Sequence, residues 1–299
     1  MINIGVVGQT DASTGLVTHL HRSKRFQCKK IIFPLSGSDS LIKSGENDIS
    51  RYLGGDYDRI LFTELQQDQM ELVRIAIKKG IPVFFLSTSN LPLPLLDEIT
   101  KLSSEAGTPA ICYNGYWYDP VFTQIRSAIQ DPFLCHFYIR KDIERIQDSF
   151  ALLHDQIEIS LLLTRGHFMR SVVNSYTLTN HKTDFIFVQL EYDSGARTEI
   201  MIQGTGRPEG YFIIRQPRNI ITWYSAKSLV VYESPTPEGI WKQHKKRYRK
   251  RSVADPYMHW IRAIEETGSG KSIAPTIEDR LHTAQLFSGI REKLTSRIT

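Results

Sequence analysis

Cysteine is scarce: Cys28, Cys112 and Cys135 are the only three, and no two stand in a C-x-x-C pair. An odd, widely spaced set supports neither a disulfide framework nor a zinc site, and it suits a reducing, cytoplasmic compartment. Long apolar runs are missing as well. No window approaches the roughly 18 consecutive apolar residues of a membrane helix, and no basic leader precedes the first apolar run, so neither a membrane span nor a secretory signal is expected. Glycine is short where a nucleotide loop needs it: Gly8 ends the opening run Ile4-Gly5-Val6-Val7-Gly8, but Thr10 and Ser13 occupy the other two positions of G-x-G-x-x-G.

Charge of one sign is confined to one place. Residues 242–251, Lys-Gln-His-Lys-Lys-Arg-Tyr-Arg-Lys-Arg, hold seven Lys and Arg and no acid. Without them the remaining 30 basic residues face 32 acidic ones, so the net charge of +5 becomes −2. The basicity is local, and no general polyanion-binding surface follows from it. Flanked by Trp241 and interrupted by Tyr248, the run has the look of a nucleic-acid patch. Between a sheet and a helix, it reads better as a solvated loop or as a contact for an acidic partner, and nucleic acid is not the expected ligand.

What is present is ordinary globular material. At 299 residues, 41% hydrophobic and 23% charged, the chain can fill two domains and is not disordered. The run Ile2–Gly8 breaks into polar, helix-starting residues, which is how the first strand, loop and helix of a dinucleotide-binding unit read. Thr10, Ser13 and Thr14 can hydrogen-bond a phosphate at the helix N-terminus, or can simply cap the helix. Asp11, in the same loop, opposes an anion.

Strands and helices then alternate. Phe26–Phe33 reads as a second strand stopped by Pro34, and Asp58–Phe62 as a third. Leu65–Lys79 carries a helical apolar period and ends at Gly80; Leu95–Ala106 is a helix ending at Gly107. Ile81–Leu86 is apolar throughout, as a strand buried on both faces should be, and Pro109–Tyr113 follows as the next strand. This order gives a doubly wound parallel sheet over residues 1–117.

From residue 118 onward the pattern changes. Asp119-Pro120 opens a helix to Ile129, Phe133–Arg140 alternates like a strand, and Ser149–Leu163 is a long helix. Met169–Glu233 holds five or six strand-like runs joined by turns such as Asp193-Ser194-Gly195. Asp255-Pro256 caps a helix that ends at Gly268, and Thr276-x-x-Asp279 is a capping box for the last one. Residues 118–299 therefore predict an α+β domain, an open and mostly antiparallel sheet covered by helices on one face. An uncovered face of alternating apolar residues from Phe185 to Val231 calls for a second copy, so a homo-oligomer through this sheet is expected.

The order of elements resembles the Gfo/Idh/MocA family, the glucose-fructose oxidoreductase and inositol dehydrogenase-like enzymes. The likeness covers nearly the whole chain. It is clearest at Ile4–Gly8, at Lys79-Gly80-Ile81-Pro82-Val83, at Cys112-Tyr113-Asn114 through Pro120, and at Asp255–Gly268. The resemblance implies a Rossmann domain followed by a sheet domain, NAD or NADP as cofactor, and a sugar or polyol derivative as substrate in the interdomain cleft.

It also implies roles for particular positions. Gly8, Gln9, Thr10 and Ser13 fall in the cofactor loop, and Thr63 and Gln66 in the segment laid along the cofactor. Ser87 stands where the family has the lysine of Glu-Lys-Pro, and it cannot supply that cationic donor. His154 matches a histidine that takes part in proton transfer, although Phe150 stands one turn earlier where the family has an aspartate. The second strand runs into Ile32-Phe33-Pro34-Leu35-Ser36 without the usual ribose-binding acid. Asn114, Tyr116, Trp117 and Lys141 fall where substrate is bound. Each has a plainer reading too: His154 shares a helical face with Phe150, Ile157 and Leu161, Tyr113–Tyr118 can pack a hinge, and Lys141 can be a solvated edge residue. Two functions stay open, a dehydrogenase and a non-catalytic relative that keeps the fold for ligand binding or assembly.

Overall fold

The computed structural model describes residues 1–7, 18, 20, 26–31, 57–63, 65, 67–86, 91–114, 117, 122, 125–141, 146–164, 166–176, 185–224, 229–236, 238–247, 264 and 275–295. The chain divides into two compact units, Met1–Tyr118 with Asp255–Leu281, and Asp119–Ala254 with His282–Thr299.

The first unit holds five parallel strands, β1 (Ile2–Val7), β2 (Phe26–Ile31), β3 (Arg59–Phe62), β4 (Val83–Phe85) and β5 (Ala110–Cys112), in the order β2-β1-β3-β4-β5. Every residue of β3, β4 and β5 is buried, as strands covered on both faces require. The apolar run at Ile81–Leu86 yields a shorter strand than its sequence suggests. Pro82 cannot donate to a ladder, and its carbonyl accepts from Ile60 N at 3.0 Å, while Ile81 N closes the preceding helix on Ala76 O at 3.0 Å.

Two helices pack together beside this sheet. Helix α1 (Met70–Lys78) follows a 3₁₀ turn at Gln67–Gln69 and buries Met70, Leu72, Val73, Ile75, Ala76 and Ile77. Helix α2 (Leu93–Ala106) starts on Pro94 in its first turn and stops at Gly107, whose φ of 61° is the left-handed cap that glycine adopts without a Cβ penalty. Arg74 of α1 bridges to Glu98 of α2 through Nη2 (3.1 Å) and to Glu71 through Nη1 (2.9 Å).

The second unit is built on an eight-stranded sheet. Its strands are β6 (Leu134–Arg140), β7 (Phe168–Tyr176), β8 (Phe185–Tyr192), β9 (Arg197–Gln203), β10 (Glu209–Arg215), β11 (Ile220–Tyr224), β12 (Leu229–Pro235) and β13 (Trp241–Arg247). They run in the order β13-β12-β11-β10-β6-β9-β8-β7, and among these described strands only β6 and β9 pair in parallel. Strict alternation appears on β8, where Ile186, Val188, Leu190 and Tyr192 are buried. Helix α3 (Ile146–Thr164) lies against this buried face, with Ser160 Oγ 2.6 Å from Tyr192 Oη. The last helix, α4 (Ile277–Thr295), is capped as its sequence predicts: Thr276 N and Oγ1 donate to Asp279 Oδ2 (2.7 and 2.8 Å), and Asp279 N donates to Thr276 Oγ1 (3.2 Å).

One expectation is corrected. Lys242–Arg247, the first part of the basic run, is no loop but strand β13, paired with β12 along its length. A tight turn at Thr236–Ile240, with Gly239 at φ 76°, folds it back. Lys242, Lys245 and Lys246 are exposed on this outermost strand, the placement by which charged side chains keep a sheet edge from pairing with other chains.

Candidate functional site

In the first unit, β1 lies between β2 and β3, so the chain reverses its direction of winding between β1 and β3. Ligands of open α/β sheets bind outside the carboxyl ends of strands at such a switch point. The carboxyl rim is formed by Val7, Phe62-Thr63, Phe85-Leu86 and Cys112-Tyr113-Asn114. Phe62 and Phe85 stack beneath it with ring centroids 5.5 Å apart. Leu86 N donates to Phe62 O (2.8 Å) and Tyr113 N to Phe85 O (2.9 Å), so successive strand ends are held in step.

Thr63, 3% exposed, spans the switch point itself. Its amide and its hydroxyl both donate to Val7 O, at 3.0 and 3.2 Å. With its proton committed, the hydroxyl can meet a ligand only as an acceptor. That chemistry fits a ribose hydroxyl or an amide and does not fit a phosphate oxygen.

The exit of β5 is fixed from a distant part of the chain. Cys112 N donates to Pro275 O at 2.9 Å, and Ile111 bridges to Thr276. Arg280, on the first turn of α4 and 4% exposed, donates from Nη2 to Tyr113 O at 2.8 Å. Beyond Tyr113, Asn114 is 2% exposed and its Oδ1 accepts from Trp117 N at 3.1 Å. Sequence reasoning singled out Asn114 and Trp117 but passed over Arg280. A signal existed: a cation in the first turn of a helix opposes the macrodipole, so it needs an acceptor elsewhere.

Two candidates fall in the second unit. His154 is buried on α3, its ring edge-on to Phe287 of α4 with centroids 5.4 Å apart. Phe150, one turn earlier, meets the same ring at 5.9 Å. Lys141 follows β6, is exposed, and donates its amide to Gln203 O at 3.1 Å. Glu158, one turn after His154 and fully buried, was missed by sequence reasoning, although a spacing of four residues places it on the same helix face. Deeper in this unit, burial pushes the Tyr192 hydroxyl and the Cys135 thiol each up to about 12.

The face of the sheet opposite α3 carries a cross-strand ladder. Tyr211 stacks on Tyr138 with centroids 4.9 Å apart, on His136 at 5.9 Å, and lies 6.1 Å from Tyr224. His136 Nδ1 is 3.2 Å from Glu199 Oε2, and Tyr138 Oη donates to Gln203 Oε1 at 2.8 Å. Register continues the middle row through Met201 and Phe187. These residues are half-buried. At the end of the sheet, Val172 and Tyr176 of β7 are 47% and 59% exposed.

Thus Thr63, Asn114 and Trp117 fall in the first unit and Lys141 and His154 in the second. Gly8, Gln9, Thr10, Ser13, Gln66, Ser87 and Tyr116 lie outside the described residues. Among the described residues, no three His, Cys, Asp or Glu side chains are grouped so as to hold a metal ion, and no helix is long and apolar enough to cross a membrane.

No protein-family model and no curated protein sequence matches this chain. Solved structures do match over nearly its whole length. UDP-N-acetylglucosamine 3-dehydrogenase from Acidithiobacillus ferrooxidans is similar at a TM-score of 0.75 with 10% identity, covering 97% of this chain and 96% of its own. A putative myo-inositol dehydrogenase from Sinorhizobium meliloti matches at 0.70 with 13% identity, covering 98% of each chain. An oxidoreductase from Agrobacterium radiobacter, solved with NAD+, L-tartaric acid and magnesium, matches at 0.70 with 13% identity over 97% of this chain and 95% of its own. The fold implied by the resemblance to the Gfo/Idh/MocA family, a Rossmann-like parallel sheet followed by an open, mostly antiparallel one, is the fold found.

Proposed function

We propose that the protein is an oxidoreductase that uses NAD or NADP to act on a sugar or polyol derivative. The observation that carries this reading is the switch point between β1 and β3, in a chain that shares its fold from end to end with dehydrogenases. A nicotinamide dinucleotide, when bound, supplies the hydride acceptor or donor; the chain supplies its binding and the proton handling. Thr63 would accept from a ribose or carboxamide group, and Gly8, Gln9, Thr10, Ser13, Gln66 and Ser87 complete the cofactor set. Asn114, Tyr116, Trp117 and Lys141 are the substrate-binding set, and His154 is the group for proton transfer. Titration with NADH and NADPH, followed by nicotinamide fluorescence and thermal shift, tests the reading. Saturable binding followed by turnover in a panel of sugars and polyols is expected. No response at millimolar cofactor sinks it.

One observation favours a second reading, a non-catalytic relative serving as a ligand-binding or assembly module. Phe150 and His154 both pack on Phe287, so a hydrophobic contact stands where an acid would assist the histidine. Binding of NADH without turnover of any substrate in the panel supports this reading over the first.

In either case we propose that the protein is a homo-oligomer whose interface is the open sheet face. Eight strands about 4.8 Å apart and about 23 Å tall present on the order of 900 Å², close to the roughly 800 Å² that each partner gives to a standard interface. Its middle row, Tyr224, Tyr211, Tyr138, Met201 and Phe187, is aromatic and apolar, the composition of interface cores. Sedimentation at micromolar concentration should show a dimer or larger species, and Tyr211→Arg should yield a monomer. A monomeric wild type overturns the proposal.

A further inference from the structure

We propose that Arg280 is a positioning residue: it sets the backbone at the exit of β5 and so the affinity of the site formed there. The inference rests on the cofactor reading above and deepens it: Tyr113 and Asn114 follow β5 at the same carboxyl rim on which the dinucleotide would lie, so a shift of that rim is read in NADH affinity as well as at the substrate-binding set. Three observations lead to it. Arg280 is 4% exposed and donates from Nη2 to Tyr113 O at 2.8 Å, a contact spanning 167 residues of chain. The acceptor lies at the carboxyl end of a parallel strand, on the side of the sheet where ligands of this architecture bind. The residue next to it, Asn114, is 2% exposed and holds the following turn through Trp117 N.

The segment carrying Arg280 is itself anchored from two directions. Pro275 and Thr276 pair with Cys112 and Ile111, and the Thr276–Asp279 box fixes the first turn of α4. The guanidinium therefore arrives at the Tyr113 carbonyl on a rigid lever. A cation buried in a helix's first turn is disfavoured by the dipole. The charged hydrogen bond to the Tyr113 carbonyl, a kind of bond about twice as strong as a neutral one, offsets part of that cost. A Tyr113 carbonyl pointed elsewhere would turn the Tyr113–Asn114 peptide and carry the Asn114 side chain with it. Arg280 acts through Tyr113 and Asn114 and not by touching cofactor or substrate.

The test compares wild type, Arg280→Met, Arg280→Lys and Gly107→Ala. Gly107→Ala strains the cap of α2 in the same unit while leaving Arg280, Tyr113 and the Thr276–Asp279 box in place, so it reports what a loss of stability does by itself. Two readouts are taken: the Kd for NADH by fluorescence, and amide hydrogen exchange at Asn114 and Trp117. For Arg280→Met we expect NADH to bind about tenfold more weakly, the equivalent of about 1.4 kcal/mol, with faster exchange at both amides. Arg280→Lys, which keeps a cationic donor, should recover part of both effects, and Gly107→Ala should change the NADH Kd less than twofold. If Arg280→Met and Gly107→Ala shift Kd and exchange alike, the positioning role is overturned and Arg280 is a strut. If wild type binds no NADH, the cofactor reading fails by itself. The exchange comparison still decides whether Arg280 holds the Tyr113–Trp117 backbone.

Discussion

Thr63 gives both its amide and its hydroxyl hydrogen to the carbonyl of Val7, so one side chain bridges the ends of β1 and β3 where the sheet changes its direction of winding. Strand ends at a switch point are where a ligand crevice opens. Thr63 keeps these two together at the rim.

Thr63→Val keeps the shape and removes the hydroxyl. The variant should lose about 1 kcal/mol of stability, the usual worth of one buried hydrogen bond, in urea unfolding monitored by circular dichroism. If Thr63 also accepts from the cofactor, the NADH Kd rises in the same variant by more than the stability loss accounts for. An unchanged Kd removes Thr63 from the cofactor set.

Replacing His154 separates packing from chemistry. His154→Ala deletes the ring that meets Phe287 and should cost about 3 kcal/mol, the low end for truncation of a buried aromatic. His154→Phe fills the same space and should keep most of the melting temperature. Turnover that survives His154→Phe would show that the ring nitrogens take no part in proton transfer.

Glu98 links stability to pH. Arg74, through its side-chain hydrogen bond, holds the Glu98 carboxyl below the usual carboxylate range. A depressed folded-state pKa contributes stability that is present above the unfolded value, about 4.3, and is lost as pH falls through the folded value. Both side chains are 34% exposed, so solvent screening keeps the contribution to about 1 kcal/mol or less. Glu98→Gln should therefore destabilise the protein at pH 7, and the difference from wild type should shrink as pH falls below about 4 in urea titrations.

Cys135 should be inert in the folded protein. Its thiol is wholly buried and pushed up to about 12, so almost no thiolate forms at pH 8. Iodoacetamide labelling mapped by mass spectrometry should leave Cys135 unmodified until denaturant is added. Rapid labelling under native conditions would show that the sheet opens locally beneath α3.

Gly107→Ala tests the helix cap. At φ 61° the alanine Cβ is strained, although no neighbouring atom lies within 4 Å of it. The expected loss is about 1 kcal/mol of stability, with cofactor binding unchanged.

Much of the fold was legible because its determinants are local. Periodicities of two and 3.6 residues separated the strands of the second unit from α1, α2 and α3. Gly80 and Gly107 marked two helix ends, both with positive φ, and the spacing Thr276-x-x-Asp279 marked a helix start. Each of these signals acts within about one turn of chain. Strand β13 was hidden because lysine and glutamine have no strand preference of their own; pairing with β12 and the turn at Gly239 impose the conformation.

The site is another matter. The sequence by itself determined that strands alternate with helices up to Cys112 and that an alternating sheet follows, because side-chain periodicity fixes which faces must be buried. Only the tertiary structure decided that β1 and β3 are neighbours, that the Thr63 hydroxyl is spent on a carbonyl 56 residues away, and that Arg280 reaches Tyr113 across 167 residues. Hydrogen-bond donors such as Thr63 and Arg280 carry no mark in the sequence of the acceptor they will meet. Strand order and helix placement choose that acceptor, and with it what each side chain retains for a ligand.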